Sequence, residues 1–145
     1  YGGRREAPGA DFVSWVLNNI ERNGQLNVYD DWYGAPTHVD EIAKAVQRIT
    51  TNHHLGIFHC VGPTYLSRFA WAKQIASAFD HDPASITPVS SDRGDHPAKR
   101  PESKLVTDGS NERLGIDPIS CVEGLDVMQS KSATTGISTS TPEHD

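Results

Sequence analysis

Two hydrophobic periods alternate along this chain, and that alternation restricts it to folds in which helices pack on short strands. From Ala10 to Asn23, the apolar residues Phe12, Val13, Val16, Leu17 and Ile20 recur at helical spacing, and Asn23-Gly24 supplies a stop. Gln25 to Tyr29 then alternates polar and apolar residues, as a half-buried strand does. A second helical period covers about His38 to Thr50, with Thr37 as its expected cap and Val39, Ile42, Ala43, Val46 and Ile49 as its expected inward face.

The run L-G-I-F-H-C-V, Leu55 to Val61, reads as a strand closed by Gly62-Pro63. Ser67 opens a helix that reaches Phe79, with Phe69, Ala72, Ile75 and Ala76 inward, and Ile86 to Ser90 reads as a further short strand. A short helix is expected over Asp108 to Leu114, stopped by Gly115. Another starts at Ser120, where Glu123 completes a capping box ahead of Leu125 and Val127. The expected class is therefore α/β: a small lobe with helices packed on a few short strands.

With 145 residues, 36% of them hydrophobic, the chain has material for one modest core. Residues 1–129 carry the periodic segments and read as that lobe. Residues 130–145, S-K-S-A-T-T-G-I-S-T-S-T-P-E-H-D, have little apolar content to offset ordering entropy and read as a disordered tail. The net charge of -6 argues against a general nucleic-acid binder, whose affinity depends on clustered Lys and Arg. Cys60 and Cys121 belong to no C-x-x-C pair, which indicates neither a disulfide framework nor a zinc knuckle and suits a reducing, cytoplasmic setting. No apolar run approaches the roughly 20 residues that span a bilayer, and no charged-then-apolar leader opens the chain. The first residue is Tyr1 rather than Met, so the chain is expected to be part of a longer product.

The sequence contains no G-x-G-x-x-G, no G-x-x-x-x-G-K-[ST], no G-x-S-x-G, no H-E-x-x-H and no Tyr-x-x-x-Lys. No catalytic residue and no cofactor-binding residue is expected within it. His53, His54, His59 and Cys60 are its densest set of potential metal ligands, but strand alternation would send His59 and Cys60 to opposite faces, so no metal site is expected. Trp15 and Trp71 fall within amphipathic helices and read as packing residues. Trp32 and Tyr33 differ, because they lie in the turn D-W-Y-G-A-P-T, residues 31–37, where Pro36 fixes the backbone and Gly34 permits a close approach. Arg100, stiffened by Pro101, is the candidate for a bidentate phosphate contact in the polar loop Asp92 to Lys104.

D-W-Y-G-A-P-T leading into a helix, then G-I-F-H-C-V-G-P-T-Y-L-S-R-F-A-W-A, R-P-E-S-K-L and E-R-L-G-I, stand in an order that resembles the C-terminal half of the dTDP-4-dehydrorhamnose reductases. These are extended short-chain dehydrogenases/reductases. The resemblance runs over roughly residues 10–127, and Tyr1-Gly2 is similar to the Y-G that follows a central strand in such enzymes. Three positions depart from the family pattern: Trp32 replaces a Gln, one residue is missing between Pro101 and Ser103, and Val106 stands where an Asp is common.

The resemblance implies a substrate-binding lobe of a Rossmann-type enzyme, with a nucleotide-sugar held near Trp32, Tyr33 and Arg100. It implies NADPH as hydride donor to a C4 keto carbon, with proton donation from a Tyr beside a Lys. The cofactor site and that Tyr would come from a Rossmann lobe in cis or in trans, so no cofactor is expected on this chain alone. A homodimer is left open. A non-catalytic module of the same fold, similar to the regulatory subunit of methionine adenosyltransferase, and an inactive truncated remnant are the other readings.

Overall fold

The computed structural model describes Tyr1, residues 11–93 and residues 104–135. The elements run α1 (Phe12–Asn23), β1 (Leu26–Tyr29), β2 (Tyr33–Gly34), α2 (Val39–Thr51), β3 (Leu66–Ser67), α3 (Arg68–Ala78), β4 (Ile86–Val89), α4 (Ser110–Leu114) and α5 (Cys121–Thr135). Short 3-10 turns at Pro83–Ser85 and Ser91–Arg93 flank β4.

Local chemistry accounts for most boundaries. The Asp11 carboxylate accepts from the Ser14 N–H at 3.0 Å to cap α1, and Gly24 closes that helix in the left-handed conformation, φ 68°. Ser67 caps α3 by accepting from the Ala70 N–H at 3.1 Å. Ser120 and Glu123 form the expected reciprocal box: the Ser120 N–H donates to Glu123 Oε2 at 2.8 Å and the Glu123 N–H to Ser120 Oγ at 3.3 Å.

β1 and β4 pair in parallel, Leu26 opposite Ile86 and Val28 opposite Pro88. Pro88 has no N–H to donate, which suits a strand lying at a sheet edge. A parallel pair needs a long crossover, and the stretch containing α2 and α3 supplies it. The core forms where α1 and α3 cover this pair and α5 packs on α3. Val13, Val16, Leu17 and Ile20 meet Leu26, Val28, Trp71, Ala72, Ile75, Ala76, Ile86 and Leu125. Full burial of each large aliphatic side chain contributes roughly 1.5–3 kcal/mol, so this cluster holds the lobe together. Trp71 is buried in it as a packing residue, whereas Trp15 is exposed and stacks on Phe12 with ring centroids 5.5 Å apart.

Four features differ from the sequence expectation. α2 is capped by His38, whose Nδ1 accepts from the Asp40 N–H at 3.2 Å. The Thr37 hydroxyl is used elsewhere, donating to the Ala35 carbonyl at 3.1 Å and accepting from the Gly62 N–H at 2.9 Å. The buried positions of α2 are Glu41 and Ala45, while Val39, Ile42 and Val46 are exposed. The side of α2 that meets the lobe is thus the one carrying a carboxylate, which the Lys44 ammonium pairs at 2.7 Å.

Leu55 to Val61 is not a strand. Among the described residues no backbone-to-backbone hydrogen bond reaches this run, so it lacks the neighbour that a strand requires. The helix α5 continues to Thr135, past the expected boundary between residues 129 and 130. The Gln129 amide donates to the Ala78 carbonyl and Lys131 Nζ meets Asp40 Oδ2 at 2.6 Å, tertiary contacts that composition does not reveal. Residues 136–145, the rest of the expected tail, lie outside the described residues.

Candidate functional site

β2 and β3 form a minimal antiparallel pair, Tyr33 opposite Ser67 and Gly34 opposite Leu66. The Arg68 N–H donates to the Trp32 carbonyl at 2.7 Å, extending the pairing by one residue. This pairing holds the D-W-Y-G-A-P-T turn against the first turn of α3. Asp31 fixes the other end of the turn, accepting from the Ser91 N–H at 2.8 Å and from the hydroxyls of Ser91 and Ser90 at 2.9 and 3.1 Å. Desolvation acts upward on its carboxyl, but these hydrogen bonds outweigh it and hold the pKa below the ordinary value.

Between the turn and α3 lies a cavity of about 240 Å³, lined by Tyr1, Phe12, Tyr33, Leu66, Arg68 and Trp71 together with the Gly34–Thr37 backbone region. Arg68 lines it, and a second cation, Lys104, stands one ring away. The Arg68 guanidinium lies 5.0 Å from the Trp32 ring centroid and 5.4 Å from that of Phe12. Lys104 Nζ lies 5.5 Å from the centroid of Tyr65, which itself stacks on Tyr33 at 5.7 Å. Aromatic faces beside fixed positive charge suit a ligand with a flat ring and an anionic group.

Tyr1 closes the inner end. Its ring meets His38 and Trp71 edge-on at 5.3 and 5.2 Å, its hydroxyl donates to the Cys121 carbonyl at 3.2 Å, and its carbonyl accepts from the Val39 N–H at 2.9 Å. Burial pushes the Tyr1 hydroxyl's pKa well above its ordinary value, so it stays protonated as a donor. A Cβ at Gly124 would collide with the Tyr1 ring, which explains a glycine in the second turn of α5. His38 is buried beside it, and desolvation lowers its pKa.

Of the three residues singled out from the sequence, Tyr33 lines the cavity. Trp32 lies outside the lining, its ring 4.5 Å from that of Tyr29 and against Arg68. Arg100 falls outside the described residues. Arg68 and Lys104 were not singled out, although both stand in the quoted segments L-S-R-F-A-W-A and R-P-E-S-K-L. Spacing places one on a helix and the other in a loop, and only the tertiary fold brings both to the Tyr33–Tyr65 and Trp32–Phe12 rings. Among the described residues no group of three or more His, Cys, Asp or Glu is arranged for a metal ion. His59 turns its Nδ1 to the Val106 carbonyl at 3.0 Å, and His54 sits beside Phe58. No helix of the described residues is long and apolar enough to cross a membrane.

A family model described as the RmlD substrate binding domain matches residues 3–133, and the chain belongs to that family. The chain is 28% identical over 116 residues to a dTDP-4-dehydrorhamnose reductase of Mycolicibacterium smegmatis, covering 79% of this chain and 36% of that protein. A dTDP-4-dehydrorhamnose reductase of Sinorhizobium fredii is 32% identical over 119 residues, covering 74% of this chain and 40% of the other. Among solved structures, the Bacillus anthracis dTDP-4-dehydrorhamnose reductase in complex with NADP superposes with a TM-score of 0.74 at 22% identity, over 86% of this chain and 44% of that one. The Clostridium acetobutylicum dTDP-4-dehydrorhamnose reductase gives 0.74 at 24% identity, over 88% and 45%. The fold is therefore that of the Rossmann-like sugar-nucleotide reductases, and the chain spans less than half the length of these relatives.

The described residues do not suit a dinucleotide. A pyrophosphate is held by a glycine-rich turn that leaves a helix N-terminus open, whereas side chains of Asp11, His38, Ser67 and Ser120 cap α1, α2, α3 and α5. No step of hydride transfer is assigned to these residues.

Proposed function

We propose that this chain is the nucleotide-sugar-holding lobe of a dTDP-4-dehydrorhamnose reductase-like enzyme, with the nicotinamide cofactor carried by a second lobe in cis or in trans. The observation that carries the proposal is the aromatic cavity lined by Tyr33 and Arg68, with Lys104 over the Tyr65 ring that stacks on Tyr33, in a chain that matches a substrate-binding family over residues 3–133. Tyr33 offers a ring face for the base or sugar, Trp32 orients Arg68, and Arg68 with Lys104 and Arg100 draws the diphosphate. A guanidinium engages such an anion through paired, charge-assisted hydrogen bonds. Both cysteines are free, in keeping with a reducing, cytoplasmic setting.

Titrating dTDP into the isotope-labelled chain tests this by NMR. The expected result is saturable shifts at Tyr33, Tyr65 and Arg68, weakened about tenfold in Arg68→Ala, the scale of one charged hydrogen bond. The same titration with NADPH is expected to show no micromolar binding. Absence of dTDP shifts at millimolar ligand would overturn the proposal and favour a non-catalytic or inactive module.

A further inference from the structure

Among the described residues that line the cavity, Arg68 carries the only charged side chain. It is fastened to the D-W-Y-G-A-P-T turn twice. Its N–H donates to the Trp32 carbonyl at 2.7 Å, and its guanidinium lies over the Trp32 ring, 5.0 Å from the centroid. The same guanidinium lies over the ring of Phe12, the first residue of α1, at 5.4 Å. Three separate segments, α1, the turn and the start of α3, therefore meet at one cation.

Each of the two rings is itself held by another. The Tyr29 ring stands 4.5 Å from that of Trp32, and Trp15 stacks on Phe12 at 5.5 Å with the ring planes 22° apart. Trp15 is 41% exposed, so core packing alone does not account for it, whereas support of the Phe12 ring does. A free arginine side chain samples many rotamers, and an anion that binds it must freeze them. A guanidinium already resting on two rings has less freedom left to lose, and its planar fork keeps one orientation. Trp32 lies outside the cavity lining, so its effect on a molecule held there passes through Arg68.

We infer that Phe12 and Trp32 are positioning residues for anion recognition: they fix the plane of the Arg68 guanidinium, so that it meets two oxygens of a diphosphate as a fork and not as a mobile point charge. Trp15 and Tyr29 support the two rings. The inference rests on the proposed function for the identity of the ligand.

The test reads the Arg68 Nε–H by NMR and the affinity for dTDP by titration. In the free wild-type chain the Nε–H signal is expected to carry an upfield ring-current shift, lost in Trp32→Leu and kept in Trp32→Phe. Trp32→Leu is expected to weaken dTDP binding about two- to fivefold, the scale of one cation–π contact, and Trp32→Phe to restore most of it. Arg68→Lys keeps the charge but not the fork, and is expected to weaken binding about tenfold, as Arg68→Ala does. The deciding measurement is the cycle: in the Arg68→Lys background, Trp32→Leu should cause no further loss. Phe12→Leu should repeat this pattern from the other ring, which keeps the test open should either single variant fold poorly. An unshifted Nε–H signal, wild-type affinity in Arg68→Lys, or an equal loss from Trp32→Leu in both backgrounds overturns the inference. Binding of inorganic pyrophosphate but not dTDP, with the same dependence on Trp32, leaves the positioning role intact and removes the functional reading. Binding of neither overturns both.

Discussion

α1 and α2 carry apolar stripes of the same helical period, yet one is sealed in the core and the other faces solvent. Val13, Val16, Leu17 and Ile20 of α1 are buried in the core cluster, whereas Val39, Ile42 and Val46 of α2 are 47%, 44% and 54% exposed. Amphipathicity thus marks a helix, but it does not fix which of its faces the fold covers. The side of α2 that does meet the lobe is polar, a buried Glu41 answered by Lys44. Core packing and solvent exposure are therefore divided between two helices of one small lobe.

The contrast is broken most severely on the core side. Ile75→Ala, at a fully buried position of the core cluster, is expected to cost about 2–5 kcal/mol in urea unfolding, the range for emptying an aliphatic core site. A value under 1 kcal/mol would mean that the core is poorly packed. Next comes the seam between the two sides. Gly62→Ala places a methyl group into the Pro36 carbonyl, which is backbone and cannot swing away, so a loss of about 1–3 kcal/mol is expected, with faster hydrogen exchange near Thr37.

A pH titration separates the two sides by another route. The His38 pKa is lowered by burial, so the folded state binds the proton less well than the unfolded chain does. Its contribution is fully present above the unfolded value of about 6.5 and is lost as pH falls through the lower folded pKa. His38→Asn keeps a side-chain cap but cannot titrate, and should flatten the stability profile below pH 6.5. An unchanged slope would assign the acid sensitivity to other groups.

The two smallest effects lie at the surface. Truncation after Gln129 removes Lys131 and its exposed pair with Asp40, and about 0.5 kcal/mol is expected, whereas truncation after Thr135 should change nothing measurable. A loss of several degrees in melting temperature from the second truncation would mean that residues 136–145 pack on the lobe. Val46→Ser, the counterpart of Ile75→Ala on the open side, should alter the free chain's stability by less than about 0.5 kcal/mol. A core-sized loss there would erase the distinction between the faces.

Much of the local structure was legible in the sequence because its causes are local. Asp11 and Gly24 around a five-residue apolar stripe define α1, Ser67 opens α3, and Ser120 with Glu123 opens α5, each through hydrogen bonds spanning three or four residues. The D-W-Y-G-A-P-T turn was likewise recognisable as the place where aromatic side chains are aimed, and Tyr33 does line the cavity. Arg68 and Lys104 escaped notice because a cation in a helix or a loop is unremarkable until the fold sets it on a ring.

What the sequence by itself determined was therefore the helices, the paired strands β1 and β4, and the family to which their order belongs. The tertiary structure decided which face each element shows. It turned the Val39–Ile42–Val46 stripe outward, gave the cap of α2 to His38 because Thr37 Oγ1 holds Gly62, and left Leu55 to Val61 without strand pairing. Periodicity and capping act within one turn of chain and are written in neighbouring residues. Burial and strand pairing need a second surface, and the position of that surface appears only when the chain is folded.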